Sequence, residues 1–312
     1  MIPNDAKSSA DRYQANAAIC TLVVATLGRS DLLLECLQSV PADERPHVRV
    51  IVVDQNDTPF LSADLARLAQ EMDLQHIRVP FRNASRARNH GAALASTPWV
   101  SFPDDDCRFL HDTLAIARQQ ITQSNLDLLS GQVVDDAGRP HIIGWLPHET
   151  ELLPGGYERC FAESTFFIRK QVFDSVQGFD PIFGPGTQFP SNEGGDLLCR
   201  LWRTGTPLRS LYTPLLRYYH PDKDTGHSPQ INARIESFAF GEGAFTLRHY
   251  TVLPMKKISV RLARVLGGLL LGRENPRRRM VYLRGFLRGA LTYLRQTRRA
   301  VRVQSHRNTH AI

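Results

Sequence analysis

The sequence predicts an α/β fold, a mostly parallel sheet covered by helices on both faces. Short β-branched apolar runs alternate with segments whose apolar residues recur at helical spacing, the pattern of repeated strand–helix units. Polar clusters stand at the ends of three of those runs, at residues 26–29, 54–57 and 104–106. In sheets of this kind, ligands bind beyond the carboxyl ends of the strands. A hydrophobic content of 42% in 312 residues allows a sizeable core and excludes a globally disordered chain.

Residues 19–25 form a buried first strand. A turn at 26–30 follows, where Ser30 or Asp31 caps a helix whose Leu32, Leu33, Cys36, Leu37 and Val40 recur at helical spacing. Residues 48–53 make a second strand that runs into Asp54, Gln55, Asn56 and Asp57. A helix is expected at 61–72, a third strand at 74–79, a helix at 84–95 and a fourth strand at 99–102.

The fourth strand leads to Asp104, Asp105 and Asp106. Three like charges packed together cost free energy unless a counter-charge is present. Mg²⁺ or Mn²⁺ supplies one, through hard oxygen ligands shared with substrate phosphates. The triplet therefore reads as an Asp-x-Asp metal site for a nucleotide diphosphate, or as a solvated acidic loop before a helix at 108–124. Upstream lie Arg82, in a loop, and Arg86 and Arg88. Their forked guanidinium groups suit phosphate oxygens; the competing partners are surface acids or the Asp cluster itself. Asn89 with Gly91, Ala92 and Ala93 suggests close packing of this helix on the sheet.

Thr26 after the first strand, Asp54 after the second, the run from Ser85 to Gly91, and the run from Phe102 to Cys107 together resemble the family 2 glycosyltransferases of the GT-A fold. Order and spacing match over roughly the first 110 residues. The resemblance implies a Rossmann-like sheet whose first two strand ends hold the nucleoside of a nucleotide sugar. Thr26, Arg29, Asp54, Asp57, Arg82, Arg86, Arg88, Asp104 and Asp105 are the donor-binding candidates. Asp54 would contact the base and Asp104 the ribose side, and Asp104 with Asp106 would hold Mn²⁺ or Mg²⁺, Asp106 directly.

The later chain is less regular. A strand is expected at 127–134, a turn at 135–138, acceptor-side loops at 142–147 and 154–157, and a strand at 160–168 with Ser164 and Thr165 near its middle. A helix at 172–176, followed by Gly178, Phe179 and Asp180, resembles a family segment. A glycine-rich loop then leads to Ser191 or Asn192, either of which can cap a helix running to Arg203. Glu193 and Asp196 lie in its first turn on one face. A carboxylate at a cleft edge can take the proton of an acceptor hydroxyl. The family pattern here is Glu-Asp-x-Asp-Leu, its first Asp the usual base, whereas this sequence has Gly194 at that position. Glu193 is the favoured base. Asp196 is the fallback base; otherwise it serves structure or acceptor orientation, with Arg200 four residues on as its partner. After a last strand at 212–219, His220 resembles the family's third metal ligand, His227 is its local competitor, and Lys223 is a diphosphate contact on a closing loop. Residues 238–245 resemble the family's lead into the tail.

The net charge of +7 conceals an asymmetry. Residues 255–312 hold 15 Lys and Arg against one acid, Glu274, a net of +14; the other 23 basic and 30 acidic residues give −7. A basic surface for nucleic acid is therefore not expected on the main domain, and the tail lacks stacking-rich recognition patterns. In the tail Ile258, Leu262, Val265, Leu266 and Leu269 recur at helical spacing, and so do Met280, Leu283, Phe286, Leu287, Leu291 and Leu294, with arginines between them. Such basic helices suit an anionic membrane surface; the alternative is that the apolar stripes pack on the domain.

Five scattered cysteines argue against a disulfide framework or a structural zinc site and fit a reducing cytoplasm. Residues 1–18 are polar and lack a signal-peptide core, and no apolar run reaches spanning length. The expected organisation is thus a polar segment 1–18, a GT-A domain 19–254 and a basic helical tail 255–312, peripheral at the inner membrane face. The expected function is metal-dependent, inverting sugar transfer from a nucleotide diphosphate sugar to a lipid-linked or polysaccharide hydroxyl. A non-catalytic nucleotide-sugar-binding or scaffold subunit is the alternative, with Gly194 as its support. A nucleotidyltransferase would want a richer phosphate loop than residues 26–30 offer.

Overall fold

The apolar runs pair into one eight-stranded mixed sheet. The structure, a computed structural model, describes residues 18–221, 229–254 and 276–309. The strands are β1 (Cys20–Thr26), β2 (Val48–Asp54), β3 (Leu74–Arg78), β4 (Trp99–Ser101), β5 (Arg108–Phe109), β6 (Leu128–Val134), β7 (Phe166–Arg169) and β8 (Ser210–Tyr219). Their order is β3-β2-β1-β4-β7-β6-β8-β5. The pairs β3–β2, β2–β1, β1–β4 and β6–β8 are parallel; β7 runs antiparallel to β4 and β6, and β5 to β8. From β1 the chain moves outward through β2 and β3, then returns to β4 on β1's other side. This reversal opens a crevice at the carboxyl ends of β1 and β4.

Alternation along the strands makes two cores. Leu22 and Val24 face α1 (Asp31–Gln38), α2 (Ser62–Leu68) and α4 (Thr113–Gln123), through Leu33, Leu37, Leu65 and Leu114. Val23 points the other way, to the side of α3 (Ala84–Ala93), α6 (Glu193–Arg203) and α7 (Pro229–Arg248). A Cβ on Gly91 would lie 2.4 Å from Val23 Cγ1, so the expected close approach of α3 to the sheet is present. Phe102, directly after β4, packs at 4.9 Å between ring centroids on both Phe173, in α5 (Lys170–Ser175), and Phe179. Burying each such ring stabilises the fold by about 1.5–3 kcal/mol. Asn89 clamps this cluster from α3: its amide donates to Phe179 O at 2.7 Å and its Oδ1 accepts from Phe179 N at 2.8 Å.

Local departures from expectation have physical causes. Residues 108–109 are strand, not helix, because they pair with Tyr219 and Tyr218 of β8; the helix starts at Thr113. Of the strand expected at 160–168, only the part from Phe166 pairs; Ser164 and Thr165 precede it and follow a 3-10 turn at Tyr157–Arg159. Asn192 occupies the N-cap of α6 at φ 66°, with no capping bond from its side chain. Ser191 Oγ donates instead to Phe238 O at 2.9 Å.

The tail's α8 (Pro276–Thr309) packs on α7 through glycines. A Cβ on Gly289 would lie 1.8 Å from Phe240 O, and one on Gly243 would lie 2.0 Å from Phe286 O. Among the described residues, no helix is long and apolar enough to cross a membrane. The polar segment at 1–17, the first tail helix expected near 258–269, and Lys223 and His227 lie outside the described residues.

Candidate active site at the carboxyl ends of the strands

The three carboxylates after β4 diverge. Asp105 turns back to β1, accepting from Thr26 Oγ1 at 2.7 Å and Arg29 Nη1 at 2.5 Å. Arg29 also pairs with Asp106 at 2.8 Å. Burial raises the Asp105 carboxyl above its ordinary range, against the opposing pull of Thr26 and Arg29. Asp104 accepts from Arg88 Nη2 at 2.6 Å. Asp106 faces His220, whose Nε2 lies 3.4 Å from Asp106 Oδ1.

Asp104, Asp106, Cys107 and His220 form one cluster, with candidate ligand atoms all within 4.8 Å of one another. The donor set fits a divalent cation. His220 Nδ1 donates to Pro221 O at 2.8 Å, which leaves Nε2 as the ring nitrogen turned toward Asp106 and available to a cation. Two carboxylates and an imidazole suit Mn²⁺ or Mg²⁺. Burial pushes the Cys107 thiol well up, so it stays neutral and is the weakest donor of the four.

At the end of β2, Asp54 is fully buried. Its Oδ1 accepts from Asn56 N at 2.8 Å and Asn56 Nδ2 at 2.7 Å, and its Oδ2 lies 3.0 Å from His76 Nε2. Asn56 Oδ1 in turn accepts from Gly28 N at 2.7 Å. Asp54 thus turns inward and organises Asn56, itself buried, and the partly exposed His76. Asp57 and Arg82 pair on the exposed rim, where Arg78 donates to Asp57 O at 2.8 Å. Arg86 turns from the carboxylates and stacks on Phe81, with its guanidinium carbon 4.0 Å from the ring centroid.

Arg88 joins the two halves of the site. Besides Asp104, it donates through Nη1 to Glu193 Oε1 at 2.9 Å, and the Arg88 and Glu193 side chains are 6% and 7% exposed. Next to them lies Glu163, half-buried, which accepts from Gly194 N at 3.3 Å. Burial first, and then the neighbouring Glu193 charge, push the Glu163 carboxyl up to about 7. Asp196 sits apart. Its side chain is fully buried, and its oxygens meet Arg200 at 2.7 Å, His249 at 2.8 Å and Arg248 at 3.3 Å. That network ties α6 to α7.

The structure therefore gathers Thr26, Arg29, Arg88, Asp104, Asp105, Asp106, Glu193 and His220 at one crevice, with Asp54 just beneath its β2 side. Asp57, Arg82 and Arg86 lie at its rim, and Asp196 is held in the core. Sequence reading missed Asn56, His76 and Glu163. Asn56 stands inside the polar cluster that ends β2, a signal that was available. His76 and Glu163 lie in weakly patterned stretches, and only tertiary contacts disclose them.

Residues 21–179 match the family model described as glycosyl transferase family 2. No curated protein matches the chain. Among solved structures, S. aureus TarS 1–349 aligns at TM-score 0.56 and 15% identity, covering 89% of this chain and 73% of that one. The same protein in complex with UDP-GlcNAc aligns at 0.55 and 14%, covering 88% and 73%. The mannosyltransferase PcManGT from Pyrobaculum calidifontis, in complex with GDP-Man and Mn²⁺, aligns at 0.57 and 16%, covering 89% and 87%. At such identities these likenesses show the fold.

Proposed function

The chain belongs to glycosyl transferase family 2, and from that premise we propose that it moves a sugar from a nucleotide diphosphate sugar to an acceptor hydroxyl, with inversion at the anomeric carbon. The observation that carries this reading is the cluster of Asp104, Asp106 and His220 at the strand-end crevice. The structural neighbours that hold UDP-GlcNAc or GDP-Man with Mn²⁺ support a donor of the same chemistry.

In this reading Asn56 and His76, held by Asp54, line the nucleoside end. Arg29 and the rim pair Asp57 and Arg82 would flank the diphosphate path, with Arg86 as an outer basic group; Lys223 is, from the sequence alone, a candidate diphosphate contact. Asp104, Asp106 and His220 would hold Mn²⁺ or Mg²⁺. Bound there, the cation offsets charge that develops on the departing diphosphate. Thr26 and Arg29 keep Asp105 turned away from that position. Arg88 fixes Asp104 relative to the first turn of α6, so the donor side and the acceptor side keep one spacing. Proton removal from the acceptor belongs to the carboxylates gathered at that turn, where Glu193 sits.

The acceptor we propose is a lipid-linked or growing polysaccharide, presented at the inner face of the membrane. Support comes from α8, where Met280, Leu287 and Leu291 are exposed beside Arg284 and Arg288. An anionic surface would take up both the apolar and the basic groups.

The test is release of nucleoside diphosphate from a panel of nucleotide sugars, first with Mn²⁺ or Mg²⁺ and then with chelator. Metal-dependent release from one donor, raised by a membrane-lipid extract, is the expected result. Binding of donor without release under every condition would replace the transferase reading with that of a binding subunit.

A further inference from the structure

The sugar-transfer reading leaves open which carboxylate takes the proton. Position 194, next to Glu193, carries no side chain. A Cβ built there would lie 2.7 Å from Glu163 Cγ, 3.0 Å from Glu163 Cδ and 2.7 Å from Phe161 Cε1. The space that an Asp at 194 would fill is thus already filled, and what fills it is another carboxylate, delivered from the segment before β7. Gly194 N, in the first turn of α6, donates to that carboxylate at 3.3 Å and orients it.

The other acids near the turn are committed. Glu193 is bound by the Arg88 guanidinium at 2.9 Å, so one of its carboxylate oxygens is already taken. Asp196 meets two arginines and a histidine in the core. Asp104 and Asp106 belong to the metal cluster, and Asp105 to Thr26 and Arg29. Among the described residues no cationic side chain forms an ion pair with Glu163.

Resting on the transfer reading, we infer that Glu163 is the general base of this enzyme, standing in for the acid that Gly194 lacks. The acceptor oxygen forms its bond to the anomeric carbon as the bond from that carbon to the diphosphate oxygen breaks. The electron pair leaves on the nucleoside diphosphate, and the acceptor proton passes to a Glu163 carboxylate oxygen. Glu193 becomes a positioning residue: it anchors Arg88 and sets the electrostatic environment of Glu163. A carboxyl pushed up to about 7 is matched to proton transfer near neutrality, which agrees with the role.

The experiment compares wild-type full-length protein with Glu163→Gln, Glu163→Asp, Glu163→Ala and Glu193→Gln. It uses UDP-GlcNAc and GDP-mannose with Mn²⁺ and a membrane-lipid extract as acceptor, and donor binding is titrated in parallel. Glu163→Gln should lose about 10²- to 10⁴-fold in turnover while donor binding stays within twofold. The acid limb of the pH profile should vanish with it and persist in Glu163→Asp. Formate should restore part of the activity of Glu163→Ala, an effect that loss of a merely structural group would not show. Turnover within threefold of wild type in Glu163→Gln, with the acid limb intact and Glu193→Gln inactive, would overturn the assignment in favour of Glu193. Wild-type protein that binds a donor but releases no nucleoside diphosphate under any condition would instead overturn the transfer reading on which the assignment rests.

Discussion

The N-terminal half of the sheet and the C-terminal half build their shares of the site in different ways. In the first, the functional groups come from short local runs: three carboxylates in the loop after β4, and Asp54 with Asn56 two residues on. In the second, they come from long-range packing. Arg88 reaches Glu193 across 105 positions, His249 reaches Asp196 across 53, and Glu163 meets Gly194 across 31. The two halves are therefore vulnerable in different ways. The like charges of a local cluster repel one another and need a counter-charge, as Arg29 and Arg88 supply here, whereas the packed groups of the second half meet only when the tertiary structure forms.

The largest effects should therefore fall on the buried links. Arg88→Met strands Glu193 and removes the partner of Asp104, and should cost about 3–5 kcal/mol of unfolding free energy, because a buried ion is left without its partner. Asp196→Asn should cost less, since Arg200 keeps the Val176 and Gly178 carbonyls and Arg248 keeps Asp180. Urea titration at pH 7 measures this; a loss under 1 kcal/mol in both variants would mean that the networks are solvated. The same links should make the fold acid-sensitive. Burial depresses the His249 pKa despite its Asp196 partner, so the unfolded chain binds the extra proton. That contribution is complete above the unfolded histidine value of about 6.5 and declines as pH falls below it. The depressed Asp196 carboxyl, held down by His249, Arg200 and Arg248 against its burial, adds a second decline near and below its ordinary range.

Glu163 should behave in the opposite sense. Its folded pKa is raised to about 7 from 4.5, so the folded state binds more protons between those values. The destabilisation is absent below 4.5 and complete above about 7. Glu163→Gln should accordingly stabilise the protein at pH 8 by on the order of 2 kcal/mol and leave it nearly unchanged at pH 4. Thermal melts at the two values check this; equal destabilisation at both would mark Glu163 as a packing residue.

These contrasts explain how much was legible beforehand. The four parallel strands, their helices and the clustering of Asp104 and Asp106 at a strand end could be read because hydrophobic period and local charge specify them. Gly91 could be read as a close-packing residue because small residues clustered on one helix. Glu163 could not, since its meaning depends on the bare Cα of Gly194 opposite it. The strand expected at 160–168 forms only from Phe166: Thr165 O still accepts from Gly131 N of β6, but no neighbouring strand pairs with residues 160–164. His220 needed the family pattern, because a lone histidine after a strand has no local signature. The inward commitment of Asp54 was hidden because His76 belongs to another strand.

Smaller effects should appear in the C-terminal helices. Gly289→Ala forces a methyl onto the Phe240 carbonyl of α7 and should cost about 1–3 kcal/mol through overpacking. Limited proteolysis should then release α8 before the sheet domain is cut; unchanged cleavage would show that the helices separate at no cost. The weakest expected effect is at the membrane. Each arginine near an anionic surface contributes about 1 kcal/mol at low salt, so the protein should sediment with phosphatidylglycerol vesicles and be released by high salt. Equal binding to phosphatidylcholine vesicles, or none to either, would leave the arginines of α8 as solvated charges.

The most direct test of the central claim is calorimetric titration of UDP and GDP into wild-type protein and Asp106→Ala, with Mn²⁺ and then with chelator. The account predicts that one nucleotide binds at least tenfold more tightly with Mn²⁺ and that Asp106→Ala removes the gain. Equal affinity with and without the ion, in a wild-type protein that still binds nucleotide, would contradict the assignment of Asp104, Asp106 and His220 as the metal site.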